Sequence, residues 1–307
     1  MDKIAVIMST YNGETYLREQ MDTIFSQQDI SLHFVIRDDG SSDKTKEILS
    51  GYKREHPTID LIFGENVGCK KSFYEAARYA YDKYSDVEYF AFSDQDDFWL
   101  EDKLCTGIKS LKTLTTDETR PLLYFCPPRI VDQSLRPIGK EWSTHHYLNF
   151  EEACLAQACA GCTMVFNRRA LELFLQGSPD KMSMHDSWLY KTVLACGGRV
   201  YEDTTPHILY RQHSSNVIGT GSFLSRWKRR YHNFMDKNRY RSGQVKEILH
   251  LYRAYMSPKS QKTAEDLSGY GSKGLIGRIR IASNPSYRTS NPTYNLLFKL
   301  AVVLNRY

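Results

Sequence analysis

Four short apolar runs, Ile4–Met8, His33–Ile36, Ile59–Phe63 and Tyr89–Phe92, alternate with stretches of helical spacing, and this order constrains the chain more than any other feature. The first helical stretch, 14–27, repeats Tyr16, Leu17, Met21, Ile24 and Phe25 on one side; 44–52 and 72–84 follow the later runs. Strands that are apolar at successive positions must be covered on both faces. The β-α-β-α-β-α-β order therefore predicts an α/β fold with a mostly parallel, Rossmann-like sheet, helices on both sides and right-handed crossovers. In such sheets ligands sit beyond the carboxyl ends of the strands. The segments 9–13, 38–43, 64–68 and 94–97 all follow strands at that edge, and they hold many of the polar, charged and glycine residues. They are expected to converge on one site.

The fourth run ends in Asp94, Asp96 and Asp97, three carboxylates within four residues. Like charges this close repel, and a hard divalent cation, Mg²⁺ or Mn²⁺, takes oxygen ligands and leaves positions open for phosphate oxygens. The competing reading is a set of solvated acids at a helix N-terminus, since 100–114 is helical in pattern. The first βα turn lacks G-x-G-x-x-G, and no G-x-x-x-x-G-K-[ST] occurs, so dinucleotide redox and P-loop chemistry lose their usual signatures. A nucleotide whose diphosphate is bridged by a metal at the sheet edge would use the parts that remain.

Farther on, 122–126, 161–166, 199–201 and 207–211 read as strands, with helices at 169–176 and 184–195. Long helical spacing returns at 222–255, the segment 257–294 offers no pattern that demands structure, and 296–304 is a short apolar segment. The seven cysteines suit reduced core thiols better than disulfides, and the C-x-x-C of Cys159 and Cys162 lacks the partners of a zinc site. The run 3–8 gives out too soon for a secretory leader, and no stretch of about eighteen apolar residues occurs, so a cytoplasmic protein is expected. Charge is lopsided. Residues 221–307 carry 17 Lys and Arg against 4 Asp and Glu, while 1–220 carry 24 against 32, which implies two parts with different partners.

Ser9-Thr10-Tyr11-Asn12-Gly13, Asp38-Asp39-Gly40-Ser41-Ser42-Asp43, Asn66-Val67-Gly68 and Asp94-Gln95-Asp96-Asp97, in this order and spacing, resemble the nucleotide-sugar-binding half of family 2 glycosyltransferases with the GT-A fold. Met184-His185-Asp186-Ser187-Trp188-Leu189 and the stretch from Tyr210 to Gly219 resemble the rhamnosyltransferase-like branch of that family, whose members build bacterial surface polysaccharides. The likeness covers residues 1–220, leaving 221–307 as a basic helical C-terminal extension.

Carried over position by position, the resemblance implies that Thr10, Tyr11 and Asp39 meet the nucleobase, with Asp39 accepting from a pyrimidine N3–H. Asp94 and Asp96 match D-x-D. Asp96 is the surer metal ligand, and Asp94 lies nearer the ribose or a metal-bound water. His213 is a further metal or diphosphate ligand, and Arg211 is suited to a bidentate phosphate contact. Asp186 matches the base of an inverting single displacement, its other reading being an N-cap; His185 is a structural or acceptor-orienting neighbour. Trp188 and Trp99 are candidates to stack on sugar faces, weighed against burial in the core. The donor is a nucleotide sugar, dTDP-β-L-rhamnose or else a UDP-hexose, and the acceptor a saccharide on a polyprenyl diphosphate. The mixed aromatic and cationic stretch Arg226–Arg241 suits an anionic inner-leaflet surface, with a solvated face or a homodimer contact as alternatives. Nucleic acid fits poorly, because the acidic first part would oppose a phosphate backbone. A catalytically silent nucleotide-sugar-binding subunit is the contrasting class.

Overall fold

The structure is a computed structural model that describes residues 1–115, 117, 119–139, 146–156, 158–213 and 240–307. Its contacts divide the chain into two compact units: Met1–Ser143, Cys159–Leu189 and Gly198–His213, and the described residues of Thr144–Ala158, Tyr190–Gly197 and Ser214–Tyr307. The sequence boundary at 220 and most of the Arg226–Arg241 stretch lie outside the described residues.

The alternation read from the sequence is realised in the first unit. β1 (Asp2–Thr10), α1 (Leu17–Phe25), β2 (Ile30–Asp38), α2 (Thr45–Glu55), β3 (Ile59–Phe63), α3 (Cys69–Lys83) and β4 (Tyr89–Ser93) follow in order. Then come β5 (Phe98–Trp99), α4 (Lys103–Leu114), β6 (Leu122–Phe125) and β7 (Arg129–Val131). After the short α5 (Phe150–Leu155), which belongs to the second unit, come β8 (Met164–Asn167), α6 (Arg168–Gln176), α7 (His185–Ala195), β9 (Arg199–Glu202) and β10 (Ile208–Arg211).

A seven-stranded sheet has the order β3-β2-β1-β4-β8-β6-β9. Its first four strands are parallel, whereas β8 runs antiparallel to both β4 and β6. A second sheet, β5-β10-β7, uses two strands of two and three residues that are too short to leave a periodic signal in the sequence.

Both faces of the sheet are covered, as the continuous apolar strands require. Ile4, Val6 and Met8 of β1 and Phe34 and Ile36 of β2 share a core with Leu17, Met21 and Ile24 of α1, Ile48 and Leu49 of α2, and Leu104, Ile108 and Leu111 of α4. On the opposite side Phe92 meets Phe73 of α3 and Phe174 of α6 edge-on, at ring separations of 5.5 and 5.7 Å. Each such fully buried large side chain contributes about 1.5–3 kcal/mol.

The second unit comprises α5 with α8 (Tyr240–Tyr252), α9 (Pro258–Ser268), α10 (Leu275–Ala282) and α11 (Pro292–Val303). Its core includes Val245, Ile248, Tyr252, Leu267, Leu297 and Phe298, and the Tyr307 hydroxyl donates to the Cys154 carbonyl at 2.9 Å. The absence of pattern at 257–294 is thus corrected: α9 and α10 lie there. Short helices in a Ser- and Gly-rich stretch escape a periodicity window, yet their boundaries carry start signals. The Ser257 side chain caps α9 with Pro258 in its first turn, and Asn291 does the same for α11 with Pro292.

Candidate functional site

Strand register brings the carboxyl ends of the parallel strands level, pairing Thr10 with Asp38, Asp38 with Phe63 and Met8 with Ser93. The four following loops therefore share one sheet edge, and their polar groups tie them together. Asn12 N–H donates to Ser41 Oγ at 2.9 Å, Asn12 Oδ1 accepts from Ser42 N–H at 2.9 Å, and Gly13 N–H donates to Thr45 Oγ1 at 2.8 Å. Exposed loops are held here by side-chain bonds that reach backbone groups, the usual way a turn without ladder bonds is satisfied.

Asp39 joins the second loop to the third. Its Oδ1 accepts from Val67 N–H at 2.9 Å and from Arg37 Nη1 at 2.5 Å, and its Oδ2 accepts from Gly68 N–H at 2.9 Å. Three of about four carboxylate lone-pair positions are thereby filled. Gly40 next to it has φ +81°, and a Cβ there would lie 2.9 Å from Asn66 N, so only glycine lets the two loops meet. Thr10 is buried and spends its hydroxyl on Asp38 at 3.2 Å; Tyr11 keeps its ring at the surface, 49% exposed.

Gln95, the middle residue of D-x-D, carries a structural part that its identity alone did not reveal. Its amide accepts from Tyr11 N–H at 2.9 Å and donates to Tyr11 C=O at 3.1 Å, fastening the first loop to the acidic one. A Cβ on Gly13 would come within 2.5 Å of the Gln95 Oε1.

The three acids after β4 go to different surroundings. Asp96 Oδ2 lies 2.8 Å from His213 Nε2, so two members of the expected metal set that are 117 residues apart in the chain do meet. Asp97 is fully buried, and only the Cys162 thiol and the Arg211 backbone N–H act to lower its pKa. Ligand atoms of Asp94, Asp97 and Cys162 lie within 4.8 Å of one another. Burial, then repulsion from Asp96 and Asp186, pushes the Asp94 carboxyl up to about 7, and burial with Asp94 and Asp96 raises Asp97 as well. Burial likewise raises the Cys162 thiol, which keeps it protonated, so it is no ligand for a hard ion. Crowded carboxyl oxygens with repelling charge, plus an imidazole, are a donor set that fits Mg²⁺ or Mn²⁺. Behind them the buried Lys103, lowered to about 8 by desolvation, lies 3.6 Å from the Trp99 ring centroid and feels Asp97.

Arg211 is brought to this loop but not as an open phosphate clamp. Its buried guanidinium donates from Nε to the Asp96 carbonyl at 3.1 Å, from Nη1 to the Gln133 carbonyl at 2.6 Å and from Nη2 to Glu19, over the ring of Tyr16. With all three nitrogens engaged, it positions the Asp96 backbone.

Asp186 stands in the first turn of α7 and is nearly buried. Its Oδ2 accepts from Gly161 N–H at 3.2 Å and its Oδ1 from Ser187 N–H at 2.6 Å, which fixes the carboxylate. His185 is stacked on Phe73 at 3.9 Å and edge-on to Phe92 at 4.8 Å, with neither ring nitrogen hydrogen-bonded among the described residues. Desolvation lowers its pKa to about 4 against a partial opposing pull from Asp186. Trp188 is wholly buried, 2.5 Å from where a Cβ on Gly177 would stand, and Trp99 is 1% exposed. Neither offers a face to a sugar, and the core alternative weighed for both is the one the packing realises.

One residue that the sequence did not single out reports how these groups converge. Cys69 opens α3, and its thiol is pushed up to about 12 by desolvation, then by Asp94, Asp186 and Asp39. The residue itself is exposed to solvent. Carboxylates from the loops after β2 and β4 and from α7 thus all bear electrostatically on one thiol, which no local sequence pattern encodes.

The profile of glycosyl transferase family 2 matches residues 5–174. The chain is 30% identical over 237 residues to the dTDP-rhamnosyl transferase RfbG of Shigella flexneri, covering 72% of this chain and 77% of that relative. It is also 30% identical over 163 residues to the putative teichuronic acid biosynthesis glycosyltransferase TuaG of Bacillus subtilis, covering 53% of this chain and 60% of that one. Among solved structures, S. aureus TarS 1–349 in complex with UDP superimposes with a TM-score of 0.56 at 15% identity, covering 99% of this chain and 89% of that chain. The mannosyltransferase PcManGT from Pyrobaculum calidifontis, in complex with GDP-Man and Mn²⁺, gives 0.53 at 21% identity, covering 99% and 86%. The structural likenesses bear on the fold, which is the GT-A arrangement expected from the sequence. With more than half its length under the family profile, the chain is a member of glycosyl transferase family 2.

Proposed function

We propose that the protein is a metal-dependent, inverting glycosyltransferase that moves L-rhamnose from dTDP-β-L-rhamnose to a lipid-linked oligosaccharide at the cytoplasmic face of the membrane, in the synthesis of a bacterial surface polysaccharide. The observation that carries the reading is the acidic edge of the sheet, where Asp96 Oδ2 lies 2.8 Å from His213 Nε2, together with an Asp186 carboxylate held by the N–H groups of Gly161 and Ser187. The relative RfbG supports the rhamnosyl donor. A UDP-hexose is the second reading, favoured by the UDP bound in the TarS neighbour.

In this reading the nucleobase lies against Tyr11 and gives its N3–H to the remaining lone pair of Asp39, while Thr10 supports Asp38 below it. Asp94, Asp96 and His213 would hold Mg²⁺ or Mn²⁺, which when bound supplies positive charge to the departing diphosphate. Arg211 keeps the Asp96 loop in place. The acceptor hydroxyl attacks C1 from the side opposite the diphosphate. Asp186, pinned by two backbone N–H groups, takes its proton as the C1–O bond breaks. His185 packs beside it as an uncharged support.

Thermal shift with dTDP-rhamnose, UDP-galactose and UDP-N-acetylglucosamine, each with Mn²⁺, assigns the donor, because a ligand of the folded state raises the melting point according to its affinity. A shift with UDP sugars and none with dTDP-rhamnose would move the assignment to the second reading. Nucleotide binding without any sugar transfer, unaltered in Asp186→Asn, would instead mark a silent binding subunit.

A further inference from the structure

Helices α10 and α11 pack against each other in the second unit, and both stay apolar on the side left outside. On α11, Leu297, Phe298, Ala301 and Val302 are buried, with Phe298 against Tyr287 and Tyr307. The outer positions Leu296, Leu300 and Leu304 are 56, 41 and 58% exposed, and their spacing of four lines them along one side. On α10, Leu275, Ile276 and Ile279 are 54, 79 and 45% exposed. A surface helix normally turns polar residues outward, so six large aliphatic side chains on two adjoining helices mark an interaction face. Along this part of the chain the charge has one sign. After Asp266 the sequence contains no acidic residue but six cations, of which Arg280, Arg288 and Lys299 are exposed.

We propose that the outer faces of α10 and α11 dock on an anionic lipid bilayer, with the six aliphatic side chains at the boundary of headgroups and acyl chains and Arg280, Arg288 and Lys299 on the phosphates. Charge selects this occupant over a second copy of the chain. A two-fold contact sets the same patch on both partners, so cations would face cations with no acid on either helix to relieve them. An anionic leaflet supplies the missing sign, at about a fivefold gain in binding per cation. Among the described residues no helix is long and apolar enough to cross a membrane, so the two helices would lie along its surface. The assignment rests on the peripheral-membrane part of the proposed function, but it needs no sugar transfer and places the contact outside the Arg226–Arg241 stretch.

The test is sedimentation of the full chain with phosphatidylcholine vesicles, with and without phosphatidylglycerol, at low and high salt. The chain is expected to pellet with the phosphatidylglycerol vesicles at low salt, less at high salt, and weakly with phosphatidylcholine alone. The double variant Ile276→Asp/Leu300→Asp should lose at least about tenfold in partitioning. Arg280→Glu/Lys299→Glu, at exposed positions with little effect on folding, should lose a similar factor at low salt and approach wild type at high salt. Equal recovery in the supernatant under all conditions overturns the proposal. So does pelleting that neither double variant weakens, or a wild-type dimer in sedimentation velocity that Ile276→Asp/Leu300→Asp turns into monomer without any vesicle binding to lose. The melting-point shift with dTDP-rhamnose separates the two readings: vesicle binding lost with that shift intact counts against docking alone, and the reverse against the donor alone.

Discussion

The sheet unit and the helical unit place their unusual side chains in opposite ways. In the sheet unit the unusual residues are acids, and three of them are buried and held by hydrogen bonds: Asp38 by Ser41 and Thr10, Asp39 by Val67 and Gly68, Asp186 by Gly161 and Ser187. In the helical unit they are aliphatics, turned outward and 41–79% exposed. Along the chain net charge also changes sign, −8 over 1–220 and +13 over 221–307. Restraint costs conformational entropy that only a rigid sheet edge offsets, and it suits groups that must meet reacting atoms within fractions of an ångström. A lipid surface is fluid and asks only for area and sign, so unrestrained side chains suffice.

The sharpest way to break that contrast is Asp186→Asn. It should lower transfer by ~10²–10⁴ while leaving the nucleotide-induced melting shift intact, whereas Arg280→Glu should leave transfer to a water-soluble acceptor at the wild-type rate. Retained turnover in the first variant, or a collapse in the second, would erase the distinction between the units.

His185 tests how dry the inner wall of the site is. Its pKa falls from 6.5 to about 4 on folding, so the unfolded chain binds the proton more tightly. The stabilisation is complete above pH 6.5 and is lost as pH falls toward 4, by up to roughly 3 kcal/mol. His185→Phe, which keeps the stack on Phe73, should flatten the slope of denaturation midpoints over that interval; an unchanged slope would mean that water reaches the ring.

His213→Ala sharpens the metal side of the comparison, since it removes the partner of Asp96 at 2.8 Å without touching the sheet. Mn²⁺ affinity, read from the metal dependence of the nucleotide melting shift, should weaken about 10–100-fold. An affinity equal to wild type would leave Asp94 and Asp96 sufficient by themselves. The smallest effect belongs to Gly13→Ala, whose methyl group would displace the Gln95 amide from Tyr11. Folding stability should change by about 1 kcal/mol or less while nucleotide affinity falls several-fold, measured by calorimetric titration.

Much of the fold was written locally. A run such as Ile4–Met8 is a buried strand because five successive apolar residues leave no polar face, and the glycine and aspartate turns after such strands mark the sheet edge where a ligand sits. Asp39, Asp94, Asp96 and Asp186 could be selected on that ground together with the family resemblance. What remained hidden depended on partners far along the chain. Asp96 meets His213 across 117 residues, and Arg211 meets Glu19 across 192.

The sequence by itself therefore determined the order of the first four strands and the helices between them, the edge that carries the acids and the uneven distribution of charge along the chain. Tertiary structure alone decided that Asp97 is the acid sealed beside Cys162, that Arg211 is consumed in holding a loop, that Trp188 belongs to the core, and that α10 and α11 keep aliphatic side chains outside. The physical reason is range. Backbone propensity and side-chain period act over a few residues, whereas burial and pairing are set by whichever distant segments the packed fold brings alongside.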